Sequence, residues 1–444
     1  MNGSDDKASH PGAAMRRILG NFGVLIRARG IVALLAFAAT VLAARALGPA
    51  EFGIVVLVHA YVLVVRGLLN FQPFEAMVRY GVPLHDSGDK ERLSHLTRLC
   101  LWVDSRSSHL AALLAVLAAP ALGSTLGLDR MQIGMLMVYS LTLLATGNGT
   151  ARGILRLYDR FDAMGTQMML GPVVRIAGVL LLWVLHGRLA GYVAVWGVAY
   201  LVENLYLNWR GFREYRRHIG AVPRQSRGAK PDFHAFAGLR QFLWVTYWQS
   251  SIDLLQKHVS TLLAGYLLGL TGAGLFRFAR EISGLLARPA ALIRQVVFLD
   301  LTRSWNRQHG DFGPIALRTA ALCGAAGLVL VAVALFGGGR LLGSFAGPDF
   351  TAAAPLLTLM LLAGTFDLAA SPLRAASYAI GRASAVLELH GVAAALYVVL
   401  FFVLTRLMGL EGAGIATCIA AALPLAGMVW MVHWRHRDPQ PPPA

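Results

Sequence analysis

Two glycine-containing stretches decide the fold: LGPAEFG at residues 47–53 and LGLTGAG at residues 268–274. Each joins one apolar run of helical length to another, with almost no charge between them. The glycines at 48 and 269 are separated by 221 positions. Because glycine readily takes the left-handed backbone of tight turns, these stretches predict helical hairpins at equivalent places in two halves of the chain.

Apolar runs continue on both sides of these turns. Of 444 residues, 56% are apolar and 14% are charged, and the mean hydropathy is +0.58. Soluble domains carry about a quarter charged residues, and a bilayer-spanning helix needs about 20 apolar residues. We therefore predict an all-α polytopic membrane protein with about 12 transmembrane helices. The runs lie near 25–46, 52–70, 97–122, 131–150, 162–186, 189–209, 241–268, 272–300, 314–336, 353–370, 384–407 and 410–433.

The placement of charge divides the chain into segments. Most of the 40 Lys and Arg residues stand in the termini and in alternate connections, while the other connections are short and nearly uncharged. By the positive-inside rule, both termini are predicted to be cytoplasmic. The predicted segments are a cytoplasmic N-terminal segment (1–24), an N-lobe (25–209), a basic cytoplasmic linker (210–232), a C-lobe (233–434) and a cytoplasmic tail (435–444).

Further landmarks indicate an internal repeat. Gly187 and Gly409 each begin the connection between the fifth and sixth runs of their half, 222 positions apart. Arg152 and Arg374 have the same separation. Six spans per half, an even number, make the repeats parallel about an axis along the membrane normal. This is the layout of a transporter that rocks around a central site.

Charged residues inside the eighth run share one helical face. At 100° per residue, Arg277, Arg280, Glu281 and Arg288 fall within an arc of about 100°. Charges at membrane depth are costly and usually face a hydrated cavity or a partner. Three arginines against one glutamate favour an anionic, phosphate-bearing ligand, because a guanidinium binds phosphate oxygens bidentately.

Polar residues on two other spans extend this site. His59 and Arg66 share a face of the second span, and Asp253 and Lys257 share a face of the seventh. The predicted substrate-binding residues are Arg66, Lys257, Arg277, Arg280 and Arg288. His59, Asp253 and Glu281 are candidates for coupling to a proton or a sodium ion. The alternative is that these charges only pair with one another or with helix ends. Neither a catalytic motif, a metal-binding motif nor a cofactor is predicted.

Two motifs resemble a known family. The run LAARALGPAEFG at 42–53 is similar to the signature between the first two helices of polysaccharide-biosynthesis, or O-antigen flippase, proteins. These belong to the multidrug/oligosaccharidyl-lipid/polysaccharide exporter superfamily. The run LLAGYLLG at 262–269 resembles the start of that family's second lobe. Members often carry an acid where this chain has residues 257–260, which leaves Asp253 as the nearest substitute on that helix.

The resemblance implies two six-helix bundles in a V shape around a cationic cavity. It also implies alternating access in a bacterial inner membrane, with an oligosaccharide on undecaprenyl pyrophosphate as substrate. Membrane lipids and polysaccharide assembly proteins are the expected partners, and nucleic acid is not.

Several rivals remain open. A multidrug or cation antiporter shares the fold but is expected to line its cavity with carboxylates and aromatics. A major-facilitator carrier is expected to have a GxxxDRxGRR loop, which residues 81–92 do not match. A polysaccharide polymerase or ligase needs a large external loop, whereas the connections predicted on that side are short. A non-transporting scaffold does not need a stripe of arginines.

Overall fold

The structure is a computed structural model that describes residues 11–219, 232–307, 312–379 and 382–434. Side chains are described in these ranges apart from 11–29, 249–257, 285–307 and a few positions beside the gaps. Every regular element in the described ranges is helical. The α-helices are α1 (Pro11–Leu68), α2 (Pro73–Asp86), α3 (Lys90–Thr125), α4 (Arg130–Ser140), α5 (Gly149–Leu157), α6 (Phe161–Val184), α7 (Leu189–His218), α8 (Leu239–Arg307), α9 (Phe312–Ala346), α10 (Ala354–Ala379) and α11 (Ala383–Trp434).

Three of these helices are hairpins that fold at a glycine. The non-helical residues are Gly48 in α1, Gly269 in α8 and Gly409 in α11, with φ of 68°, 71° and 65°. They divide the helices into α1a and α1b, α8a and α8b, and α11a and α11b. With α4 extended by the 3-10 helix Leu141–Thr146, the described residues form two lobes of six spans. This confirms the predicted all-α polytopic fold.

Length and composition support a membrane location for the bundle. Seven helical stretches of the described chain are long and apolar enough to cross a bilayer, and three of them contain one of the glycine folds. Large apolar side chains such as Leu117, Phe336 and Leu387 are strongly exposed on the outer surface. Such a surface is expected to face lipid.

The turns of the two lobes match in position. Gly127 and Gly347 both have positive φ and are 220 positions apart, while His186 and Gly409 are 223 apart. With the pair at 48 and 269, each lobe has a left-handed residue at three connections on one side. We call this side the turn end, predicted to be periplasmic, and the opposite side the basic end.

The lobes meet where α1b crosses α8b. A Cβ atom added to Gly53 would overlap the carbonyl oxygen of Leu270, and one added to Gly274 would overlap that of Pro49. The contact is reciprocal, because Gly53 and Gly274, like Pro49 and Leu270, are 221 positions apart. The two helices therefore cross on the pseudo-twofold axis, with their backbones in contact at the turn end.

Several helix bounds differ from the sequence-based segments. Helix α1 begins at Pro11, inside the predicted segment 1–24, and α7 continues to His218, past the predicted lobe boundary at 209. Helices α2 and α5 stand at the basic end and were not predicted. They are short, and α5 is strongly amphipathic, so a search for long apolar runs passes over them. Residues 220–231 and the tail 435–444 lie outside the described residues.

Candidate functional site between the lobes

A small cavity lies between the two lobes, beside the crossing of α1b and α8b. Its volume is about 50 Å³, enough for a few water molecules at most. The lobes are thus close together here, and a molecule much larger than water fits only if they part. The polar residues that line the cavity are Thr40, His59, Arg175, His258, Arg277 and Glu281.

The C-lobe contributes an ion pair to this cavity. A guanidinium nitrogen of Arg277 donates to the Glu281 carboxylate at 2.9 Å, and the two side chains are 33% and 22% exposed. Arg280 does not line the cavity. Its guanidinium donates to the Ser260 hydroxyl of α8a at 2.6 Å and lies near Tyr397 of α11a. The predicted arginine stripe is therefore divided between the cavity and the interior of the C-lobe.

The N-lobe contributes a histidine and an arginine. The Nδ1 atom of His59 lies 2.7 Å from the Tyr139 hydroxyl. The guanidinium of Arg175 lies 5.6 Å from the centre of the Trp196 ring, a cation–π arrangement, and the Glu203 carboxylate lies within electrostatic range of it. Arg175 and Arg277, from opposite lobes, both interact electrostatically with His59.

Arg66 is held by its own lobe. Its guanidinium donates to the Thr146 carbonyl at 3.0 Å and the Leu69 carbonyl at 3.3 Å, and reaches the Ser107 hydroxyl at 3.5 Å. These contacts stabilise the end of α1b against α3 and the 3-10 helix. At the separation of 221 set by the glycine crossing, Arg66 corresponds to Ala287, so the two lobes do not carry matching arginines at this place. A substrate contact for Arg66 stays a prediction.

Three predicted site residues cannot be placed in the cavity or away from it. Asp253, Lys257 and Arg288 belong to the helical backbone of α8, and their side chains lie outside the described residues. Their roles in binding and ion coupling remain predictions.

Asp104 supports the basic end of the N-lobe from within. Its carboxylate accepts hydrogen bonds from the backbone N–H and the hydroxyl of Thr150, both at 2.6 Å, and its side chain is buried. It therefore caps the N-terminus of α5 from another helix. Arg66 lies within electrostatic range of this carboxylate.

We expect Asp104→Ala to lower the free energy of unfolding by about 2–3 kcal/mol, because it removes charge-assisted hydrogen bonds to buried donors. Thermal unfolding of the purified protein in detergent measures the change. Asp129→Ala is a matched control, since Asp129 caps α4 from an exposed position and its loss is expected to cost about 1 kcal/mol. Equal unfolding temperatures for the two variants would contradict the capping role of Asp104.

Comparison with known proteins agrees with this architecture. The pattern of the family described as polysaccharide biosynthesis protein matches residues 18–298, more than half of the chain. The chain belongs to the polysaccharide biosynthesis protein family. A relative of this family member is the inner membrane protein YghQ of Escherichia coli (strain K12), which is 27% identical over 360 residues. The match covers 80% of this chain and 100% of YghQ.

Solved transporters share the fold of this polysaccharide biosynthesis protein. An inward-facing multidrug resistance MATE family transporter of the MOP superfamily gives a TM-score of 0.65 at 17% identity, covering 92% of this chain and 94% of that one. The lipid II flippase MurJ, in its inward closed conformation, gives 0.64 at 14% identity, covering 92% and 87%. The two-lobed exporter-superfamily fold predicted from the sequence is confirmed.

The cavity also contains Arg175 and His258, which are not among the predicted site residues. Arg175 forms no stripe with other charges, and His258 stands next to the more conspicuous Lys257. The available signal for Arg175 was its isolation, because it is the single charged residue between positions 163 and 187. A lone arginine at membrane depth is itself a reason to expect a cavity or a partner.

Proposed function

We propose that this protein is a flippase for an oligosaccharide carried on undecaprenyl pyrophosphate. It moves this substrate from the cytoplasmic to the periplasmic leaflet of a bacterial inner membrane by alternating access. The family, the inner-membrane relative and the fold shared with a lipid II flippase support this proposal. The charge distribution predicts that both termini lie in the cytoplasm.

One observation carries the proposal: two arginines from opposite lobes line one cavity. Arg175 belongs to the N-lobe and Arg277 to the C-lobe, and Glu281 is the one carboxylate among the described lining residues. A pyrophosphate offers several anionic oxygens, so it can bridge the two guanidinium groups. A bridging pyrophosphate draws the lobes together around the substrate. When the lobes separate on the periplasmic side, the two arginines move apart, and this favours release.

Glu281 gives this site a competitor for the substrate. Because its carboxylate holds Arg277 at 2.9 Å, the phosphate has to replace it. A proton or sodium ion bound at Glu281 would weaken that ion pair and free Arg277. His59 and Asp253 are the other proposed coupling residues. In this proposal the protein carries out no covalent chemistry and needs no cofactor.

A multidrug or cation antiporter is the alternative with the same fold, since a MATE transporter also matches the structure. A cationic drug would meet two arginines against one carboxylate among the described lining residues of the cavity, which disfavours its binding. The test is translocation by purified protein in liposomes, with a fluorescent undecaprenyl-pyrophosphate oligosaccharide and a membrane-impermeant quencher. We expect the labelled lipid to exchange leaflets at a rate that depends on the protein. Efflux of cationic dyes without lipid exchange would overturn the proposal.

A further inference from the structure

A second cavity lies on the outer surface at the basic end, between α3 of the N-lobe and α8a of the C-lobe. Its volume is about 310 Å³. It lies apart from the central site and shares no lining residue with it. The side chains that characterise this groove are Phe71, Trp102, Arg106, Phe233, Arg240 and Trp244.

The position of the groove along the membrane normal matches the level of the lipid head groups. Helix α3 ends at Thr125 at the turn end, and 19 residues at 1.5 Å each place Arg106 about 28 Å away along the helix. This is close to the hydrocarbon thickness of about 30 Å. Leu110, Leu113 and Leu117, on the turn-end side of Arg106, are exposed toward lipid. Arg106 therefore stands where the apolar surface gives way to the interface.

The residues that line the groove carry a net positive charge. Arg106 and Arg240 are both exposed, and in the described part of the chain neither forms an ion pair with a carboxylate. Arg106 lies 5.7 Å from the Trp102 ring centre, while Arg240 stands in the first turn of α8, where free backbone N–H groups add positive potential. No described lining residue is acidic. The matching occupant is an anion with an apolar body.

We propose that this groove binds an anionic glycerophospholipid from the leaflet at the basic end. Arg106 and Arg240 hold its phosphate, and the aromatic rings and the leucine face of α3 hold its glycerol region and acyl chains. Tryptophan and arginine together are typical of such interfacial positions.

The bound lipid bridges the two lobes, because Arg106 belongs to the N-lobe and Arg240 to the C-lobe. Beside the groove the lobes already touch: the Tyr247 hydroxyl donates to the Leu68 carbonyl at 2.7 Å, and the Tyr247 ring stacks on Phe71 with centroids 4.7 Å apart. The lipid therefore stabilises the conformation in which this end is closed, and its release accompanies opening.

Native mass spectrometry of the full-length protein tests the site, with phosphatidylglycerol and phosphatidylcholine of identical acyl chains as probes. We expect preferential retention of phosphatidylglycerol. Arg106→Gln and Arg240→Gln are each expected to weaken it about fivefold, and the double variant about 25-fold, which corresponds to the usual contribution of one cation near a membrane surface. Arg106→Lys and Arg240→Lys are expected to keep most of the binding.

Arg406→Gln is the matched control. Arg406 is also exposed and lies 5.9 Å from the ring of the aromatic residue four positions earlier, Phe402, but it lines no part of the groove. It is expected to bind phosphatidylglycerol like the unaltered protein. Equal retention of the two lipids, or equal losses in Arg406→Gln and the groove variants, would overturn the proposal.

Discussion

Replacing Arg277 with alanine is expected to abolish most of the lipid-linked oligosaccharide translocation. A charge-assisted hydrogen bond contributes about 1.5–3 kcal/mol, so the loss of this guanidinium weakens phosphate binding by about 10- to 150-fold. Arg175→Ala is expected to act similarly from the other lobe. The measurements are lipid exchange in liposomes and surface polysaccharide in a deletion strain that carries each variant.

Two further variants make this result specific. Arg188→Ala is a control, because Arg188 is exposed at the turn end and outside the cavity, and it is expected to retain full activity. Glu281→Gln removes the competitor of the phosphate for Arg277, so it is expected to bind substrate more tightly and to release it more slowly. Full activity of both Arg175→Ala and Arg277→Ala would defeat the cationic-cavity proposal.

The second large effect is expected at the crossing of α1b and α8b. Gly53→Ala and Gly274→Ala each place a methyl group on a backbone carbonyl oxygen of the facing helix. A backbone atom cannot rotate away as a side chain does, so the helices have to separate. Overpacking of this kind costs about 1–3 kcal/mol or more. We expect a shift away from the conformation closed at the turn end, with loss of most transport.

Cross-linking measures this shift directly. The Arg45 guanidinium reaches the Ser344 carbonyl of the other lobe at 3.3 Å, so cysteines at these positions report contact at the turn end. Cross-linking is expected to fall in both glycine variants. Gly134→Ala is the matched control, since Gly134 is also within a helix and a Cβ there meets nothing within 4 Å. If all three variants cross-link and transport alike, the crossing does not govern closure.

The sequence predicted the hairpins because their signal is local. A glycine between two apolar runs, as at Gly48 and Gly269, is sufficient to place both a turn and a pair of spans. The repeated separation of these glycines also indicated two matched lobes. The polar ends of the helices, such as the end of α7 at His218, could not be predicted in this way, because a polar stretch next to an apolar run has the composition of a connection.

The surroundings of each charged side chain on these helices could not be predicted in the same way. An arc of about 100° is wide enough to include both the cavity and the interior of one lobe, so Arg277 and Arg280 have different surroundings. Arg66 likewise finds a carbonyl partner, that of Thr146, which becomes its neighbour only when α1b packs on the 3-10 helix. Which side of a span faces its own lobe depends on tertiary packing.

The reciprocal glycine crossing has a consequence for how a guest is oriented. At the same separation of 221, Val56 corresponds to Arg277 and Ala60 to Glu281, and all four line the cavity. The matched helices α1b and α8b thus differ, with aliphatic residues on one where the other carries an ion pair, while His59 and Arg175 complete the N-lobe side. Rotating a molecule there by half a turn gives an inequivalent complex, so we expect the proposed cargo, which has a distinct head and tail, to be accepted the same way round in every cycle.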